Sequence, residues 1–174
     1  MPTNINVYIL ELHYNCDQDL RAFSDPSWPK SGSVWLQPVP WGLRKLLSWI
    51  KHQYPQYGEI LITENGISER LGENIDLCDE QRVDFYQNYI NNVLMSIRID
   101  EVNVVGFAAW SLMDNFEWGR GYTERFGLYY TSFDRADRLR TMKASGYFYK
   151  NIATANGFPS DVEIDLWRKD ARHY

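Results

Sequence analysis

The sequence predicts an α/β fold of parallel βα units, and three observations carry that reading. Helical and strand-like segments alternate with short links in the order α-β-α-β-α. Asn103-Val104-Val105-Gly106-Phe107-Ala108-Ala109-Trp110 is apolar without alternation, the pattern of a strand buried on both faces. Glu59-Ile60-Leu61-Ile62-Thr63 is a second β-rich run, and it delivers Glu64 where Asn65 and Gly66, both tolerant of positive φ, turn the chain. Strands that end in an acid and then turn are how α/β barrels present catalytic side chains at their C-terminal face. Read alone, a Glu before Asn-Gly is more often a solvated strand end.

Residues 1–40 lack sustained periodicity, although Val7–Leu12 reads as a strand and Ser24–Ser33 as a Pro, Gly and Ser-rich loop. A helix is expected over Trp41–Tyr54, with Leu43, Leu46, Leu47 and Ile50 on one face and Pro55 ending it. The Glu59–Thr63 strand follows after a typical αβ link. Beyond a polar loop over 65–78, Asp79 looks like the N-cap of a long helix to about Ile97, striped by Val83, Tyr86, Ile90, Val93 and Ile97. After the 103–110 strand comes a long loop, Ser111–Gly127, crowded with acids and aromatics. Phe126–Phe133 reads as a hairpin element. A last helix from Thr141 or Met142 to Asn156 is stopped by Gly157 and Pro159, leaving 160–174 as a charged, loose tail of the single domain 1–174.

Composition excludes several function classes. The formal net charge of −5 over 174 residues argues against a nucleic-acid partner, which needs a basic face. There is no Gly-rich phosphate loop, and the three His show no metal spacing, so neither a cofactor nor a metal is expected. No apolar run approaches the roughly 18 residues of a membrane span. The first seven residues have neither a basic nor an apolar leader segment, so no signal peptide is read there and localisation stays unassigned. Cys16 and Cys78, without a motif, fit two thiols slightly better than one bridge and leave the redox compartment open. Aromatic residues make up 16% of the chain, and a surplus beyond core needs suits a site for ring-shaped ligands, sugars included.

Two strands of one parallel sheet end in polar loops, the first at Glu64 and the second at Trp110 leading to Glu117-Trp118. Strand C-termini of a barrel meet on one face, so these residues can share a pocket. Carboxylates accept hydrogen bonds from vicinal hydroxyls, and indole faces stack on the apolar side of a pyranose. Core packing for Trp110 and Phe126, and an exposed loop pair for Glu117 and Trp118, are the plainer alternatives.

At this point the chain resembles the C-terminal third of glycoside hydrolase family 1, the retaining β-glucosidases and their relatives. The resemblance rests on Ile62-Thr63-Glu64-Asn65-Gly66, on Trp110-Ser111-Leu112-Met113-Asp114-Asn115-Phe116-Glu117-Trp118 and on Gly121-Tyr122-x-x-Arg125-Phe126-Gly127-Leu128. Phe23-x-Asp25-Pro26-x-Trp28-Pro29 and Val39-Pro40-Trp41-Gly42 add to it, and it covers roughly residues 15–160. It implies a partial (β/α)8 TIM barrel of about the last two βα units plus the preceding helix. It implies Glu64 as nucleophile, Trp110 and Trp118 lining the glycone subsite, Glu117 binding the far hydroxyls and Phe126 closing the pocket. The implied partner is a β-glycoside small molecule or an oligosaccharide. Family members that act on 6-phospho-sugars replace the acid at the Glu117 position, because a carboxylate repels phosphate, so the resemblance implies an unphosphorylated glycone.

Retaining hydrolysis also needs a second carboxyl as acid/base, about 5 Å from the nucleophile. In the family it sits in a Thr-x-Asn-Glu-Pro segment, and this sequence contains none. The expectation is an incomplete copy, inactive by itself. The alternative is a non-catalytic scaffold or receptor-binding relative, against which the intact Glu64, Glu117 and Trp118 speak.

Overall fold

The computed structural model describes residues 23–70 and 76–171. The expected strand at Val7–Leu12 and the question of a Cys16–Cys78 bridge lie outside the described residues. Helix α1, Pro40–Gln53, opens with Pro40 in its first turn, where a missing N–H costs nothing. Strand β1, Ile60–Ile62, and the two-residue β2, Glu69–Arg70, precede the 19-residue helix α2, Glu80–Arg98. Then come β3, Val104–Phe107, a single 3₁₀ turn at Trp118–Arg120, and β4, Glu124–Arg125. Strands β5, Tyr129–Thr131, and β6, Arg140–Met142, lead into α3, Ala144–Ala155, and α4, Asp161–Ala171.

Strands β1 and β3 pair in parallel, with Ile60 opposite Val104 and Leu61 opposite Gly106 after a bulge. One face of this sheet packs on the helices: Ile60, Ile62, Val104 and Phe107 lie against Leu47 of α1, Val93 of α2 and Val102. The other face is open. Leu61 is 59% and Val105 53% exposed, so the expectation of a strand buried on both faces is corrected. Among the described residues no element lies over that side.

A second cluster joins α2 to α3 through Val83, Tyr86, Phe148 and Leu128, with Ile164 of α4. Here Asp161–Ala171, expected as part of a loose tail, is helical. Ser160 and Glu163 form a reciprocal capping box, in which the Ser160 N–H donates to Glu163 Oε2 at 2.9 Å and the Glu163 N–H to Ser160 Oγ at 3.4 Å. Trp167 then stacks on Tyr147 with ring centroids 6.4 Å apart. The hairpin differs as well. Tyr129–Thr131 pairs antiparallel with Arg140–Met142, so the backbone of Thr141 and Met142 serves a strand ladder and the last core helix starts at Ala144.

Asp79 does precede α2, but its side chain makes no capping bond there. It accepts instead from the Ser145 N–H at 2.9 Å and the Ser145 hydroxyl at 2.5 Å, capping the first turn of α3. It also pairs with Arg82 at 2.5 Å and starts a buried chain of alternating charges. Arg82 reaches Glu69 at 3.4 Å, Glu69 pairs with Lys143, Lys143 lies 3.6 Å from Asp114, and Asp114 binds Arg125 at 2.8 Å. The signs alternate, so each charge has an opposite one beside it, although burial still raises the Asp79 carboxyl to about 6.

Candidate active site

The floor of the site is the C-terminal end of the β1–β3 pair. The ladder continues past both strands: the Ala108 N–H donates to Ile62 O and the Trp110 N–H to Asn65 O, each at 2.8 Å. The Tyr86 hydroxyl, fully buried on α2, lies between the two strand extensions, 3.3 Å from both Asn65 O and Trp110 O, and shares its one proton between these acceptors. Gly66 is required by contact rather than by turn geometry. A Cβ there would lie 1.8 Å from Trp110 O, whereas neither Asn65 nor Gly66 has positive φ. The Trp110–Ser111 peptide is cis.

The long loop after Trp110 is folded back by Asp114. Its carboxylate accepts from the Gly127 N–H at 2.9 Å, the Arg125 guanidinium at 2.8 Å and the Thr131 N–H at 3.3 Å. Ser111 exchanges backbone bonds with Phe126 O at 3.0 Å and the Leu128 N–H at 2.9 Å. Phe126 is thereby brought beside Trp110. Gly127 has no room for a Cβ, with Asp114 N only 2.2 Å from that position. Farther out, the Glu117 N–H donates to Gly121 O at 2.6 Å and closes the small turn that carries Trp118.

These elements surround an open cavity of about 300 Å³. Glu64, Trp110, Glu117, Trp118 and Phe126, the five residues singled out in the sequence, all line it, with Trp35, Leu36, Asn65 and Gly66. Phe126 is buried at its base, and Trp118 stands out at the rim, 82% exposed. Burial first, then the charges of Glu124 and Glu64, hold the Glu117 carboxyl above its ordinary range. Among the described residues Asn65 Oδ1 is a buried acceptor without a donor. A larger cavity of about 440 Å³ lies between Pro29, Pro38, Pro40 and α2, with Asp84 as its one carboxylate. It offers no pair of acids.

Trp35 and Leu36 were missed in the sequence because they sit in a stretch without periodicity. The surplus of aromatics was the one available signal. Among the described residues no group of three His, Cys, Asp or Glu is placed to hold a metal ion. Two carboxylates with indole and phenyl faces around an open bowl suit a polyhydroxylated ring, which needs hydrogen-bond acceptors at its edge and apolar contact on its face.

Comparison with known proteins agrees with this chemistry. The sequence profile of glycosyl hydrolase family 1 matches residues 3–158. Mouse lactase-like protein is 42% identical over 158 residues, which are 91% of this chain and 27% of that protein. Guinea-pig cytosolic beta-glucosidase is 40% identical over 141 residues, 81% of this chain and 29% of its own length. Among solved structures, the family 1 β-glucosidase of Thermotoga maritima in complex with isofagomine lactam superposes with a TM-score of 0.70 at 34% identity, covering 79% of this chain and 31% of that one. These structural neighbours are TIM barrels, matched here in part, and the described residues form no closed barrel. The chain spans under a third of the length of these relatives. It belongs to glycosyl hydrolase family 1.

Proposed function

We propose that this chain carries the nucleophile side of a retaining β-glycosidase active site, as roughly the seventh and eighth βα units of a family barrel. The observation that carries the reading is the convergence of Glu64, Trp110, Glu117, Trp118 and Phe126 on one cavity at the C-terminal end of a parallel strand pair. Glu64 attacks the anomeric carbon, an ester bond forms between its carboxylate and the sugar, and the aglycone oxygen leaves with the bonding pair. Trp110 and Trp118 hold the faces of the ring, Glu117 accepts from its far hydroxyls, and Phe126 closes the base. The acids around the cavity disfavour an anionic sugar, so the substrate is an unphosphorylated β-glycoside.

The leaving oxygen needs a proton, and water must later be deprotonated to release the sugar. Both belong to a second carboxyl about 5 Å from the first. The Thr-x-Asn-Glu-Pro segment that supplies it in the family does not occur in this sequence. General-acid assistance is worth roughly 10²–10⁴ in rate and substrate positioning more, so the 174-residue chain alone does not turn over glycosides. The same missing segment favours a second reading, a non-catalytic glycosidase-like scaffold.

A hybrid separates the two. The segment of guinea-pig cytosolic beta-glucosidase that aligns with this chain is replaced by the chain itself. The hybrid should hydrolyse nitrophenyl β-glucoside, and Glu64→Gln should lower kcat by about 10³ or more while leaving the pocket shape nearly unchanged. A 2-deoxy-2-fluoro-glucoside should label Glu64 and no other residue. A folded but inactive hybrid, or labelling elsewhere with full activity in the Gln variant, excludes Glu64 as nucleophile.

A further inference from the structure

We propose that Glu124 is a positioning residue that ties together the two rims of the cavity and presents Trp35 and Trp118 to the ring that enters it; the inference rests on the glycoside reading of this cavity. Trp35 and Trp118 are 61% and 82% exposed, so their own packing cannot hold them in place. Each lies two residues from a group bound to Glu124. On one side Glu124 Oε2 accepts from the Ser33 hydroxyl at 2.5 Å. Ser33 is itself buried, its N–H donating to Ser68 Oγ at 2.7 Å and its hydroxyl lying 2.7 Å from the same oxygen. The loop that bears Trp35 is thus stapled to Glu124 on one side and to Ser68 on the other. On the second side Glu124 Oε1 is 3.4 Å from Arg120 Nε, in the turn that begins with Trp118.

The backbone of Glu124 is fixed independently, because β4 pairs antiparallel with β2 and sets Arg70 opposite Glu124. The residue is therefore an anchored, buried carboxylate with one oxygen for each rim. A carboxylate held away from water needs such partners for its lone pairs. Its charge also adds to the effect of burial on the nearby Glu117 carboxyl. Neither Glu124 nor Ser33 lines the cavity, so both act through the residues they hold.

Two oxygens serving two rims predict a crossed pattern, which a general loss of stability would not produce. Amide hydrogen exchange is followed by NMR in the 174-residue chain at Ser33 and Leu36 for the Trp35 rim, and at Gly121 and Thr123 for the Trp118 rim. The Ala108 and Trp110 amides on the floor serve as internal references. Glu124→Ala should speed exchange at both rims about tenfold relative to Ala108. Glu124→Gln keeps an acceptor for Ser33 but turns a neutral amide toward Arg120, so about a tenfold change is expected at the Trp118 rim alone. Ser33→Ala should reverse that pattern. The proposal is overturned if the rims of the unsubstituted chain are no better protected than an unfolded peptide. It is equally overturned if Glu124→Ala leaves both rims unchanged or accelerates Ala108 and Trp110 by the same factor, or if Gln and Ala act alike on the Ser33 rim. None of these readouts involves catalysis, so failure of the hydrolase reading appears in the hybrid and not here.

Discussion

The two sides of the β1–β3 sheet are finished to very different degrees. Behind it, Tyr86 and Phe148 are wholly buried, and the charges from Asp79 to Arg125 are matched one to one. In front, Leu61 and Val105 stand open beside a cavity rimmed by exposed Trp35 and Trp118. The rear is self-sufficient because α1 and α2, backed by α3 and α4, supply its partners within the described residues. The front has the composition of an interior without one, as expected of a sheet that in the family's barrels continues on both edges. Apolar exposure of this kind marks a face made to be covered. The parts of the fold that are complete are therefore those that hold the site from behind.

The largest expected loss comes from substitution at the rear. Asp79→Ala removes the nearer of the two carboxylate partners of a buried Arg82 and the cap of α3 together. A loss of roughly 3–5 kcal/mol in urea unfolding of the chain is expected. A loss below about 1 kcal/mol would mean that the charge chain is not a structural unit. Gly66→Ala acts at the boundary between the sides. A methyl group there meets the Trp110 carbonyl, and backbone cannot rotate away as a side chain does, so about 1–3 kcal/mol is expected, with loss of Trp110 amide protection.

A smaller effect comes from pH. The Arg44 guanidinium, with Ser48 and Lys51, holds Asp100 well below the ordinary carboxylate value of 3.8, down to about 2. A depressed folded value contributes stability that is present above 3.8 and is lost as pH falls toward 2. Melting of the unsubstituted chain should therefore drop across that window, and Asp100→Asn should remove part of the drop; the pair is solvent-screened, so the part is modest. The smallest effect is at the front. Leu61→Ser and Val105→Thr should change the stability of the chain by no more than about 0.5 kcal/mol. In the barrel-complete hybrid, where that face is covered, Leu61→Ser should cost about 2 kcal/mol. Equal costs in both settings would show that the front face is not a barrel interior.

Much of the framework was readable residue by residue. The helices begin and end within a few residues of where Pro40, Pro55 and Gly157 punctuate the pattern, and the two apolar runs form parallel neighbours. The capping box at Ser160 and Glu163 is equally a feature of the sequence, and it starts a helix where charge content alone suggests a tail. The hairpin lies elsewhere than its local signals suggest for a different reason. Arg140–Met142 has no strand signature of its own and is extended because Tyr129–Thr131 pairs with it.

What the sequence by itself determined is local: where helices start and stop, which runs are apolar, and that Glu64 and Trp110 sit at strand ends. Those properties depend on neighbours a few residues away, and the dense motifs around them carry the family. Only the tertiary structure decided that Asp79 caps α3 rather than α2, that Gly66 makes room for a carbonyl, and that Val105 faces outward. It alone brought Trp35 to the cavity and gave Glu124 its two partners. Apart from the Glu124–Arg120 pair, four residues apart, these rest on contacts between residues far apart in the chain, and no period or spacing along a sequence encodes which distant group will arrive.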